Sequence, residues 1–156
     1  MNPLELLKML EKEKKLSFLE KVLTVTNGSV TQILEAYLGE PVRIRTLSQE
    51  VKEAGVLAKE LNVVKTDLVN FREVEIMDQK GKVMVRAKSW TPLKRLELGF
   101  KDDLMKADVP IGKLLVKHNI EARRELLDAS IEGNNVKRTY NIIRKGEILM
   151  RIEEIF

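Results

Sequence analysis

The sequence predicts an α+β fold: an antiparallel sheet packed by helices at one side. Three observations predict it. Apolar spacing is helical over the first forty residues and then alternates in twos. The alternating segments are joined by short Gly-containing turns rather than by helices. With 44% apolar residues in a chain of 156, there is enough material to bury a core, and residues 1–156 are expected to form one domain.

Residues Pro3 to Leu23 read as a helix, with Leu4, Leu7, Leu10, Phe18, Leu19, Val22 and Leu23 largely at helical spacing and a solvated face at Glu11–Lys15. A second helix follows, because Val30, Ile33, Leu34, Tyr37 and Leu38 form one apolar stripe. Ser29 and Gln32 have capping-box spacing at its start, and Gly39 and Pro41 stop it. Val42, Ile44 and Thr46 then alternate with Arg43 and Arg45, as in a strand. Further strands are expected at Leu68–Met77 and Lys82–Trp90, around an Asp78-Gln79-Lys80-Gly81 turn, with Pro92 ending the second. Pro110 opens a short helix through Ile111–Val116. Strands Val136–Ile143 and Glu147–Phe156 close the chain across Arg144-Lys145-Gly146. The stretches Gln49–Val64 and Glu121–Ser130 fit neither period.

Composition removes several function classes. Without cysteine there is no disulfide, thiolate metal site or cysteine nucleophile. The single histidine, His118, argues against a Ser-His triad or a His-rich metal site. No apolar run reaches the roughly 20 residues of a membrane span, and Met1–Lys15 does not read as a signal peptide, so a cytoplasmic protein is expected. The net charge of +4 comes from 28 basic residues interspersed with 24 acidic ones, with few aromatics. That pattern does not point to a nucleic-acid partner.

Three charges fall on apolar strand faces. Alternation puts Arg72 with Val74 and Ile76, Glu154 with Ile148, Met150 and Ile152, and Arg138 with Val136, Tyr140 and Ile142. An inward charge is costly unless partnered. One solution is a plain Arg72–Glu154 ion pair or a strand end open to water. The other is a closed pocket, with an arginine fork for a carboxylate and a glutamate for a hydroxyl or proton. Asn27-Gly28-Ser29 and Pro110-Ile111-Gly112, at two helix starts, are either ordinary caps or amides presented to an anion.

At these same residues the sequence resembles the chorismate pyruvate-lyase family, most nearly its archaeal and mycobacterial branch. The resemblance runs from about Leu23 to Phe156. It is carried by Thr26-Asn27-Gly28-Ser29-Val30-Thr31, Phe71-Arg72-Glu73-Val74, Pro110-Ile111-Gly112-Lys113, Lys137-Arg138-Thr139-Tyr140 and Ile152-Glu153-Glu154-Ile155-Phe156. It implies a curved antiparallel sheet around an enclosed pocket. It also implies conversion of chorismate to 4-hydroxybenzoate and pyruvate with no metal or organic cofactor. Arg72 would hold the ring carboxylate, Glu154 would meet the ring hydroxyl, and the Val30 and Ile111 amides would line the pocket. The family often has Met where Val30 stands, and a family arginine beyond the central hairpin appears here as Lys88.

Chorismate is a dianion, and aromatisation of its ring drives the cleavage, so orientation, desolvation and charge stabilisation suffice from the protein. Arg138 is expected to meet the leaving pyruvate carboxylate. Effector-binding domains of GntR-type regulators resemble the same fold and only sense small molecules. They usually carry an N-terminal winged helix, for which 156 residues leave no room, so the enzyme is the favoured expectation. A lyase giving the 3-hydroxy isomer, or acting on a related enolpyruvyl acid, is a third reading.

Overall fold

Residues 2–106 and 109–156 are described by the computed structural model. Strands β1 (Arg43–Glu53), β2 (Leu68–Met77) and β3 (Val83–Pro92) form one meander, and β4 (Arg123–Glu132), β5 (Asn135–Arg144) and β6 (Glu147–Ile155) form another. The meanders join through β3 and β6 into a six-stranded sheet of order β1-β2-β3-β6-β5-β4, antiparallel at every pairing. The turn before β6 matches the one expected, with Lys145 and Gly146 both in the left-handed region that a tight hairpin requires.

The helices are α1 (Pro3–Leu10), α2 (Phe18–Val25), α3 (Val30–Leu38), α4 (Ala58–Leu61), α5 (Leu98–Met105) and α6 (Ile111–Lys117). The expected helix over Pro3–Leu23 is therefore two. Ser17 starts the second half with a complete capping box to Glu20, and Lys14 pairs with the same Glu20, so the polar stretch between the halves becomes a bend. Leu16 tucks into the core beside Leu6, Leu10, Ala129 and Val136. Ser29 accepts from the Gln32 amide and Gly39 closes α3 at φ 69°, as its spacing predicts.

Two strands exceed or escape the sequence expectation. β1 continues from Thr46 to Glu53 through a register shift, and β4 occupies most of the unassigned Glu121–Ser130 stretch with a shift of its own after Leu126. Helices also cover both faces. The Ala54–Leu61 segment packs with Val69, Trp90 and Ile148, whereas Phe100 of α5 and Leu114 of α6 pack with Tyr140, Met150 and Ile152. Ile148 was expected to face the same way as Met150. The shift between Ile142 and Ile143 in the β5–β6 ladder sends it to the opposite side and turns Leu149 inward.

Candidate functional site

Two rungs of the sheet, one apart and so facing the same way, build the site. One runs Val74–Ala87–Glu154–Arg138 across β2, β3, β6 and β5, and the other runs Arg72–Ser89–Ile152–Tyr140. Period-two alternation keeps all eight residues on one face. The first turns of α3 and α6 lie over them and bound a cavity of about 60 Å³. Arg72, Glu154, Val30 and Ile111 all line it. The sequence expected these four at one site, and the fold brings them together.

Arg72 is 2% exposed and donates from Nη2 to the Val109 carbonyl at 3.1 Å, which fixes one edge of its guanidinium. Glu154, 3% exposed, does not pair with Arg72. Its Oε1 accepts from Arg138 Nε at 2.9 Å, between residues that face each other directly in the β5–β6 ladder.

That pairing corrects the expectation for Arg138. It is 1% exposed, stands behind Glu154 rather than on the cavity wall, and donates from Nη1 to the carbonyls of Thr24 and Thr26. Its guanidinium carbon also lies 4.6 Å from the centre of the Tyr140 ring. Such an arginine holds the glutamate in place and is badly placed to meet a leaving carboxylate. Lys88 is on the other face of β3, in register with Glu73 and Glu153, and adds no charge to the cavity.

Two polar cavity residues, Ser89 and Arg124, lie outside the sequence reading, and Tyr140, expected on the inward face, joins them on the wall. Burial, and then the neighbouring Glu154 charge, push the Tyr140 hydroxyl well above its usual range, so it stays protonated and can donate. Arg124 enters from β4 beside Tyr140. The missed signal was Gly133-Asn134, a two-residue turn that pairs β4 with β5.

His118 has a structural place. It ends α6, packs edge-on against Phe100, and its Nε2 lies 2.7 Å from Asp103. Among the described residues, no group of three or more His, Asp or Glu is arranged to hold a metal ion. Among them, too, no helix is long and apolar enough to cross a membrane.

The chain matches known proteins over most of its length. The family model described as chorismate pyruvate-lyase Rv2949c-like covers residues 24–156. The protein MJ0807 of Methanocaldococcus jannaschii, which carries a provisional lyase name, is 38% identical over 88% of this chain and 77% of its own length. The chorismate pyruvate-lyase of Mycobacterium leprae is 26% identical over 67% of this chain, and the match spans 50% of that enzyme. Solved structures of the same fold include the effector domain of PhnF from Mycobacterium smegmatis. Its TM-score is 0.64 at 13% identity, over 85% of this chain and 90% of that one.

Proposed function

Because this chain belongs to the Rv2949c-like chorismate pyruvate-lyase family, we propose that it cleaves chorismate to 4-hydroxybenzoate and pyruvate in the cavity between Arg72 and Glu154. The observation that carries this reading is the placement of those two buried charges on the walls of one small cavity. They sit on β2 and β6, two strand spacings apart, or roughly 10 Å between backbones. That separation suits a ring with a carboxylate at one end and a hydroxyl at the other.

In the reaction the ether bond between the ring and the enolpyruvyl group breaks. The hydroxyl-bearing carbon gives up its proton, the ring becomes aromatic, and the enolpyruvyl fragment gains a proton and leaves as pyruvate. Arg72 holds the ring carboxylate, and the Val109 carbonyl keeps its guanidinium from swinging. Glu154, with Oε1 taken by Arg138, has Oε2 for the ring hydroxyl or the departing proton. Val30 and Ile111, at the starts of the two covering helices, line the cavity, and their amides would be offered to the ligand. A ligand that fills this small cavity would displace water from around both charges and so strengthen its contacts with them. Arg138 positions Glu154 and does not touch substrate.

Incubation with chorismate, followed by chromatographic separation, tests the reading. Equal amounts of 4-hydroxybenzoate and pyruvate are expected. Intact chorismate contradicts the proposal, and 3-hydroxybenzoate contradicts the orientation given to the ring.

A further inference from the structure

We propose that Arg124 is a second anion anchor in this cavity, binding the enolpyruvyl carboxylate and making the site selective for cyclic dicarboxylates over monocarboxylates. The inference rests on the chorismate reading above and adds a residue that neither the sequence pattern nor the family resemblance assigned.

Arg124 lines the cavity, yet among the described residues no carboxylate lies within ion-pairing distance of it. Its Nε is buried without a hydrogen-bond partner. Its polar neighbour inside is the Tyr140 hydroxyl, which is neutral. Arg138, on the adjacent strand, shows the contrast, since its charge is answered by Glu154. A guanidinium with a buried, unanswered N–H is costly, and an anionic ligand supplies what the protein does not.

Its position fits the second carboxylate rather than the first. Arg72 is on β2 and Arg124 on β4, with β3, β6 and β5 between them. The two backbones are therefore separated by four strand spacings, roughly 19 Å in a flat sheet and less in a bent one. Both side chains line the one cavity, so their guanidinium groups stand closer together than the backbones do. Glu154, on β6, stands between them.

Arg124 also marks where the cavity meets the surface. An outer groove is lined by Ser29, Gly112, Leu115, Val116 and Arg124, and it shares Ser29, Gly112 and Arg124 with the inner cavity. A carboxylate held there belongs to the fragment nearest the exit. When the ether bond breaks, the three-carbon acid is already on the side from which it departs, while the aromatic acid stays on Arg72.

The test compares chorismate with 4-hydroxybenzoate on the parent, Arg124→Gln and Arg124→Lys. Arg124→Gln should lower kcat/KM for chorismate roughly ten- to a hundredfold, the loss of one charge-assisted contact. Its affinity for 4-hydroxybenzoate should stay within about threefold of the parent. Arg124→Lys should recover part of the loss, because a point charge replaces a fork. Parent-like cleavage by Arg124→Gln, or equal weakening of both ligands, overturns the assignment. Should the parent leave chorismate intact, the proposed reaction fails by itself, and equilibrium binding of the same two ligands decides the anchor. Selective loss of chorismate binding in Arg124→Gln supports it. Equal binding by parent and variant, or a parent that binds neither ligand, overturns it.

Discussion

Glu154 and Arg138 face each other across the β5–β6 ladder and are joined at 2.9 Å, both almost wholly buried. The pair couples the fold to the site, because Glu154 is on the cavity wall and Arg138 ties it to the C-terminal end of α2 through the Thr24 and Thr26 carbonyls. Removing one partner of such a pair leaves an uncompensated buried charge. Arg138→Ala is therefore expected to lower stability by about 3–5 kcal/mol, read by denaturant titration. Replacing both partners with apolar residues, Arg138→Met with Glu154→Leu, should recover most of that loss while abolishing turnover.

Glu154→Gln keeps shape and volume but cannot accept a proton. If the carboxylate acts as a base, turnover should fall far more than affinity for 4-hydroxybenzoate. Equal losses in the two measurements would restrict Glu154 to positioning the hydroxyl.

Gly112 carries a geometric prediction. A Cβ there would stand 3.0 Å from Ser29 Oγ, across the seam where α3 and α6 meet over the cavity. Alanine is favoured over glycine inside a helix by about 1 kcal/mol, so the sign depends on that contact. Gly112→Ala alone should push the helices apart and weaken ligand binding. In a Ser29→Gly background, where the N-cap loses only a few tenths of a kcal/mol, the same substitution should become stabilising. Thermal melts of the four variants check the reversal.

Asp103 links α5 to α6. Hydrogen bonds from Lys117, and then from His118, hold its carboxyl down at about 2, against 3.8 for a free side chain. A depressed carboxyl stabilises the fold above its unfolded value, and that contribution is lost as pH falls through the folded one. Between about pH 4 and pH 2 the parent should thus lose stability more steeply than Asp103→Asn, as denaturation midpoints at the two ends of that range would show.

Much of the architecture was legible because β2, β5 and β6 each bury a face, and burial enforces alternation. Arg72 and Glu154 could be placed inward for that reason alone. β1 could not be followed past Thr46, since an edge strand exposed along most of its length carries no apolar rhythm. β4 is also an edge strand, and its register shift after Leu126 breaks what alternation it has, hiding Arg124. α5 offers only Phe100 and Leu104 to the core, one i, i+4 pair, which is too little to mark a helix. Alternation puts Arg138 on an inward face, and the ladder gives it Glu154 as its partner instead of a place on the cavity wall. Alternation reports which side a residue faces, and only the ladder register reports which residue faces it.

On the proposed reading Arg72 fixes an aromatic carboxylate while Glu154 acts at the other end of the same ligand. Calorimetric titration of 4-hydroxybenzoate into the parent and folded Arg72→Ala and Arg72→Lys, paired with chorismate turnover by each, checks this. Arg72→Ala should lose about 1.5–3 kcal/mol of binding, or roughly ten- to a hundredfold in affinity and rate, and Arg72→Lys should regain only part of it. A folded Arg72→Ala that binds 4-hydroxybenzoate and cleaves chorismate as the parent does would remove Arg72 from the ligand site.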